Sequence, residues 1–213
     1  MSAAETWLIR HAESRSNAGL PTATPGGTPL SDLGREQARA FAEAFPRRPD
    51  CIVVSPFLRS QQTAAPLIAR FPDVAQETWP VQEFTYLAPE QWNGTTARER
   101  HPATDAYWER LDPHRVDGAG AESFAGLLDR LAGALARMAR LPGLTAVFTH
   151  GNAMRALLCL LLLGADAARA DPARSMDLAR SLRHGLPIAN LAALRVDFTT
   201  GAPRLSGFPL DRR

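Results

Sequence analysis

Residues able to bind and attack phosphorus follow short apolar runs of this chain. Arg10 and His11 end the run at 6–9, Arg59 lies just beyond the run at 51–55, and His150 with Gly151 follows the run at 144–148. Glu83 comes after a less regular run at 77–81. In open α/β sheets, ligands bind outside the carboxyl ends of the strands. Arginine and histidine gathered there make an anion site, and phosphate is the usual anion. A single strand-end histidine reads as a hydrogen-bonded structural residue. Three strand ends delivering basic groups carry much more weight.

Several other phosphate and cofactor chemistries lack their parts. Neither Cys51 nor Cys159 has an arginine six positions on, which removes the cysteine-phosphatase loop. No Asp-x-Asp follows a strand, so an aspartyl-phosphate pair is missing. His101, His114 and His184 have no close His or carboxylate spacing that would make a metal site. Gly118-Ala119-Gly120 is followed by Ser123 where a dinucleotide fingerprint needs glycine. The chain has no lysine, so all 24 basic residues are arginine. Schiff-base chemistry and a P-loop both need that amine. Histidine remains as the candidate nucleophile.

The elements that must position these residues are legible in outline. The run at 6–9 reads as a buried strand. Ser31 is placed to cap a helix with Leu33, Ala38, Phe41, Ala42 and Phe45 on one face. Residues 51–55 form a second strand, and Pro56 sits near the start of a helix running to about residue 69. Residues 77–81 read as a third strand, at an edge because of Pro80. From Ala121, the spacing of Phe124, Leu127, Leu128, Leu131, Leu135 and Met138 predicts a core-facing helix stopped by Pro142-Gly143. Strand 144–148, a deeply buried helix 152–163, a helix 173–182 and strands 188–196 and 204–208 complete the series. Alternation of this kind predicts an α/β fold of three layers, a mostly parallel sheet with helices on both faces.

The stretch 84–118 breaks the alternation. It holds both tyrosines and two of the four tryptophans. It reads as a mostly helical insertion, or lid, over the carboxyl ends of the strands within a single domain spanning 1–213. Tyr107 and Trp108 read as a small satellite core. Arg98, Arg100, His101, Arg110 and His114 are candidates to contact the non-phosphate part of a ligand. Thr63 and Gln62 read as packing or capping residues, and Arg155 as an exposed helix residue.

Composition sets the outer bounds. The chain has 213 residues, is 45% hydrophobic and 22% charged, and carries a formal net charge of +2. These are proportions of a folded soluble domain. With no block of basic residues, nothing marks a nucleic-acid partner. Two distant cysteines make no disulfide framework. The longest apolar run, 156–163, is far short of the roughly 20 residues that span a bilayer, so no membrane partner is expected. The first six residues lack a basic, apolar leader pattern, and the chain reads as cytoplasmic.

Four blocks of the sequence carry a resemblance. Leu8-Ile9-Arg10-His11-Ala12-Glu13-Ser14, with Asn17 three further on, resembles the Arg-His-Gly signature of the histidine phosphatase (phosphoglycerate mutase-like) superfamily. The stretches 29–38 and 55–64 resemble the next two blocks of that family, and Thr149-His150-Gly151 its second histidine block. They occur in family order and cover most of the chain. The resemblance implies a phosphoglycerate mutase-like fold in which His11 attacks phosphorus and carries a phosphohistidine. Arg10, Arg59 and His150 would surround the phosphoryl group, Asn17 would add a hydrogen bond, and Glu83 would protonate the leaving alkoxide. Ala12 stands where glycine is commoner. Around Glu83 the family's Gly-x-Trp-x-Gly is replaced by Phe84-Thr85-Tyr86-Leu87, and Glu13, Glu77 and Glu90 are competing acids.

Elementary chemistry runs parallel to this. Phosphoryl transfer asks a protein mainly for positioning and charge stabilisation, and an arginine at the transition state can contribute about 10³–10⁵ in rate. Arginine forks bind phosphate oxygens through paired bonds and stay charged. The expected function is therefore a metal-independent, cofactor-free phosphomonoesterase acting on a small phosphorylated substrate. The alternatives are a cofactor-dependent phosphoglycerate mutase-type transfer and a phosphate-binding module of low turnover.

Overall fold

The computed structural model of the protein describes residues 4–199 and 203–206. Its centre is a six-stranded sheet in the order β3-β2-β4-β1-β5-β6. β1 (Glu5–Arg10) and β4 (Leu144–Thr149) pair in parallel at the middle, with β2 (Cys51–Val54) and β3 (Ala75–Thr78) parallel on one side. β5 (Ala193–Asp197) and β6 (Arg204–Ser206) are added antiparallel on the other. This is the expected mostly parallel α/β sheet with helices on both faces.

Side-chain alternation along the strands builds two cores. Trp7 and Ile9, Ile52 and Val54, Ala146 and Phe148 face α1 (Asp32–Ala44) and α2 (Leu58–Arg70). Leu8, Val53 and Val147 face the other way, toward α5 (Phe124–Met138), α6 (Gly151–Leu163) and α8 (Pro172–Gly185). Because β1 and β4 are buried on both faces, their sequences are nearly continuous apolar runs, as buried parallel strands require. The last residues of these two strands, and the turns after them, are thus fixed from above and below.

Helix ends follow local chemistry. Ser31 caps α1, its hydroxyl accepting from Gly34 N at 2.9 Å. Ser123 caps α5 in the same way, so that helix begins at Phe124 and not at Ala121. α4 (Ala97–Arg110) opens with a reciprocal box in which Thr96 and Glu99 satisfy each other's backbone N–H. Between 84 and 118 the chain holds α4 and the short α3 (Pro89–Trp92). Phe84, Tyr107, Trp108 and Phe124 meet edge-to-face there, with Tyr86 tilted against Tyr107, and they join the main core beneath α5, so Tyr107 and Trp108 do not form the separate satellite core expected of them.

Three expectations are corrected. β3 is Ala75–Thr78 and not 77–81: all four of its residues are exposed, so an edge strand without an apolar pattern went unread. Val81 N donates to Trp79 O at 2.7 Å across Pro80, which turns the chain out of the sheet. β5 begins at Ala193, five residues later than expected, because Leu191 adopts a left-handed φ of 60° that no strand tolerates. Leu33 is 51% exposed, and the buried face of α1 is instead Gly34, Ala38, Phe41 and Ala42. α7 (Ala165–Ala170) is an additional helix between α6 and α8. Residues 207–208 of the last expected strand lie outside the described residues.

Candidate active site

The carboxyl ends of β1 and β4 deliver Arg10, His11 and His150 to one place. His11 is 3% exposed, and His150 is fully buried. Their ring centroids lie 5.1 Å apart. Nδ1 of His11 donates to the Ala12 carbonyl at 2.7 Å, which leaves Nε2 with its lone pair. That lone pair accepts from Nε of Arg59 at 3.1 Å. Arg59 stands in the first turn of α2, over the Phe57 ring, with Nη1 donating to Pro25 O at 2.7 Å.

The electrostatics are dominated by burial under two fixed cations. Burial, with Arg59 and Arg10 adding repulsion, holds the His11 imidazolium pKa well below its ordinary value. Burial and the same arginines act on His150, with His11 contributing. Burial also lowers Arg59 to about 10, still charged at neutral pH.

Glu83 comes from the extended segment after β3. Its Oε1 accepts from the backbone N–H groups of Phe84, Asn152 and Ala153 at 2.9, 3.1 and 3.1 Å. Two of these belong to the first turn of α6. Gly151, the first residue of α6, lies against Arg155, Arg10 and Glu83: a methyl on its α-carbon would make ordinary contacts of 3.4, 3.8 and 4.0 Å with Arg155 Nη1, Arg10 Nε and Glu83 Oε2. Of the competing acids, Glu77 pairs with Arg137, Glu13 accepts from Ser31, and Glu90 is exposed; none lines the cavity.

A cavity of 240 Å³ opens above these groups, lined by Arg10, His11, Asn17, Arg59 and Glu83, with His150 behind them. Every residue singled out for this chemistry is therefore at one locus. Asn17 accepts through Oδ1 from Ser14 N and from Asn190 Nδ2, both at 3.2 Å. Of the five basic residues singled out in 84–118, only Arg100 lines this cavity. Arg110 borders a separate hollow, His101 pairs with Asp105, and Arg98 and His114 are exposed.

Supporting residues were not legible. Ser55 Oγ lies 2.7 Å from His150 Nε2, and Ser60 Oγ 3.3 Å. Asn190 donates to the His11 carbonyl at 2.9 Å as well as to Asn17. Leu191 N donates to Arg10 O, and Arg10 Nη1 to Ile188 O. Ser55 and Ser60 fall in the block 55–64 without their contacts being readable from it, and the sequence gives no signal for Asn190 or Ile188. Thr63 joins the loop as the packing residue expected, accepting from Ala12 N and donating to Arg59 O. Arg155 is half-buried, not exposed, and binds Asn152 and Leu186 O. Among the described residues, no group of three or more His, Cys, Asp or Glu side chains could hold a metal ion.

Comparison with known proteins agrees. A family model, the histidine phosphatase superfamily (branch 1), matches residues 6–203. Phosphoserine phosphatase 1 of Hydrogenobacter thermophilus is 30% identical over 172 residues, 76% of this chain and 77% of that protein. Glucosyl-3-phosphoglycerate phosphatase of Mycolicibacterium vanbaalenii is 34% identical over 130 residues, 58% of this chain and 54% of that protein. In fold, the chain is similar to a phosphoserine phosphatase of Entamoeba histolytica solved with phosphoserine, at TM-score 0.72 and 19% identity over 97% of this chain and 96% of that one. The chain, with its strand-end arginines and histidines, belongs to the histidine phosphatase superfamily, branch 1.

Proposed function

We propose that the chain is a phosphomonoesterase that hydrolyses a small phosphorylated metabolite through a phosphohistidine on His11, without a metal or cofactor. One observation carries the reading. Arg10 Nε and His150 Nδ1 are buried with no hydrogen-bond partner among the described residues. Orphaned buried polar groups are costly, so each needs a reason. A phosphate oxygen bound between them gives both the same reason.

The chemistry follows from the tautomer. The His11 Nε2 lone pair attacks phosphorus while the ester P–O bond breaks. Arg10 and Arg59 balance the charge on the equatorial oxygens. Ser55 donating to His150 Nε2 would leave the Nδ1 proton of that neutral ring to bind a phosphoryl oxygen. Asn17, whose Oδ1 is occupied, offers its amide N–H groups. Glu83 gives its proton to the departing alkoxide, which leaves as the alcohol. The resulting carboxylate then takes a proton from water as the water oxygen attacks the phosphohistidine. Phosphate departs, and His11 and Glu83 return to their starting states. An acid in this position contributes roughly 10²–10⁴.

In this reading residues 84–118 serve as a lid of the single domain, since Phe84, Tyr86, Trp92 and Arg100 wall the cavity. The substrate class is inferred from the relatives, which are named for phosphoserine and a glucosylated phosphoglycerate. No helix among the described residues is long and apolar enough to cross a membrane. A cytoplasmic location suits the two free, buried cysteines. The test is hydrolysis of p-nitrophenyl phosphate with a chelator present, followed by a rapid quench that traps labelled phosphate on the protein. Turnover and label are both expected in the wild type and absent from His11→Ala. Hydrolysis surviving in that variant would remove His11 as nucleophile.

A further inference from the structure

Arg155 takes no part in the steps above, yet its guanidinium is built in behind the site. It stands on α6, half-buried, and does not line the cavity. Nη1 donates to Asn152 Oδ1 and Nη2 to Leu186 O, both at 3.2 Å. Nε is buried with no hydrogen-bond partner among the described residues. Among those residues no carboxylate lies within ion-pair distance of it. Taking a charge partly out of water is costly, and neutral oxygens offset only some of that cost.

The acid it faces is Glu83. Nη1 of Arg155 and Oε2 of Glu83 lie 3.4 and 4.0 Å from one point, the position of a methyl built on Gly151. Gly151 itself puts no side chain between them. Of the charges that act on Arg155, Glu83 is the acid, whereas Arg10 and Arg183 are cations. The two oxygens of Glu83 differ. Oε1 accepts from three backbone N–H groups at 2.9, 3.1 and 3.1 Å. Oε2 has one longer bond, 3.3 Å from Asn152 N. Oε2 is therefore the oxygen left to carry a transferable proton. Arg155 also holds the side chain of Asn152, whose backbone N–H reaches both oxygens.

We infer that Arg155 is a positioning residue for Glu83, a cation set behind Gly151 that stabilises the carboxylate left when the proton departs. The inference rests on the phosphomonoesterase reading and adds the group that tunes its acid. In the first step the O–H bond of Glu83 breaks and its electron pair stays on the carboxylate. The proton goes to the ester oxygen as the P–O bond breaks. Negative charge thus appears on Glu83 in the transition state, where a preorganised cation acts most strongly. Arg10 and Arg59 also face Glu83, but the phosphoryl group engages both at that moment. Tyr86 feels Glu83 too and is kept un-ionised by burial. His11 and His150 are neutral rings. Arg155 is the cation that remains to answer the new charge.

The experiment records kcat/KM against pH for two esters. Phenyl phosphate has a leaving group that needs a proton, and p-nitrophenyl phosphate has one that leaves without it. The wild type is expected to lose activity at high pH on phenyl phosphate and not on p-nitrophenyl phosphate. Glu83→Gln should abolish that descending limb and lower the phenyl phosphate rate by about 10²–10⁴. Arg155→Gln removes the cation, so Glu83 keeps its proton to higher pH. Its limb should move up by about one pH unit, the scale of a unit charge several ångströms away. Arg155→Lys keeps the charge without the fork, and its limb should stay near that of the wild type. Arg155→Met serves as the neutral variant if the glutamine protein unfolds. A merely structural loss would lower both esters together and leave the limb in place. A limb unmoved in the neutral variant, or moved as far in Arg155→Lys, overturns the role of Arg155 and leaves the phosphatase reading standing. A wild type without the limb overturns Glu83 as the acid, and this inference with it. Failure to turn over p-nitrophenyl phosphate overturns the phosphomonoesterase reading itself.

Discussion

At the residue scale the site depends on two imidazoles kept neutral. His11 and His150 have pKa values well below that of free histidine, first because they are buried and then because Arg59 and Arg10 stand beside them. In the unfolded chain both titrate near 6.5. Below that pH the unfolded state binds more protons than the folded one. The stability contributed by the neutral rings is complete above 6.5 and is lost as pH falls. The slope approaches about 1.4 kcal/mol per pH unit for each ring, until the folded values are reached. Denaturant unfolding at pH 7 and pH 5 measures this loss, and replacing both rings by Gln should flatten the slope. A second prediction concerns Asn190, which ties the His11 carbonyl to Asn17. Asn190→Ala should lower kcat by about tenfold to a hundredfold, the scale on which small misplacements act, with a lesser change in the thermal midpoint. Asn190, and the contacts of Ser55 and Ser60 with His150, were hidden in the sequence for one reason. Each works by a contact across the fold, whereas Arg10, His11, Arg59 and His150 follow apolar strands and could be read from chain order.

At the element scale, the first turn of α1 and the loop after His11 share almost no space. A methyl on Gly34 would lie 1.9 Å from the Glu13 carbonyl oxygen, and that is backbone, which has little room to retreat. Gly34→Ala should therefore cost about 1–3 kcal/mol by overpacking and move the segment that carries His11. A fall in kcat out of proportion to the stability loss is the expected signature, read by steady-state kinetics beside chemical unfolding. Gly34 also shows why α1 was only partly legible. The apolar spacing located the helix and its Ser31 cap, but Leu33 was assigned to the core because periodicity does not see how close another backbone comes. β3 and the late start of β5 were missed for related reasons. An exposed edge strand has no apolar signature, and the left-handed Leu191 is set by its bond to Arg10 O. The aromatic knot of residues 84–124 was legible because large apolar rings have few places to go. Trp108→Ala should cost roughly 3–5 kcal/mol.

At the scale of the whole molecule, the strand order puts chemistry and stability in one place. β1 and β4 are central, both cores press on them, and their ends carry Arg10, His11 and His150. Class and layering were readable from the alternation of elements; the order β3-β2-β4-β1-β5-β6 was not, because pairing partners lie far apart in sequence. The cavity forms only when the segments around residues 10, 17, 59, 83 and 152 are all in place. An anion held there binds the folded state and has no comparable site in the unfolded chain. Inorganic phosphate at a hundred times its dissociation constant should then stabilise the fold by about 2.7 kcal/mol. For a chain of this length that is a rise of about 5–10 °C in Tm. Arg59→Ala should remove most of the rise, because it deletes one of the two cations at the phosphate end. Sulfate should reproduce part of the rise, whereas chloride at equal ionic strength should not. A shift of equal size in the Arg59→Ala protein would mean that phosphate acts elsewhere on the surface, and the cavity would lose its claim to the anion.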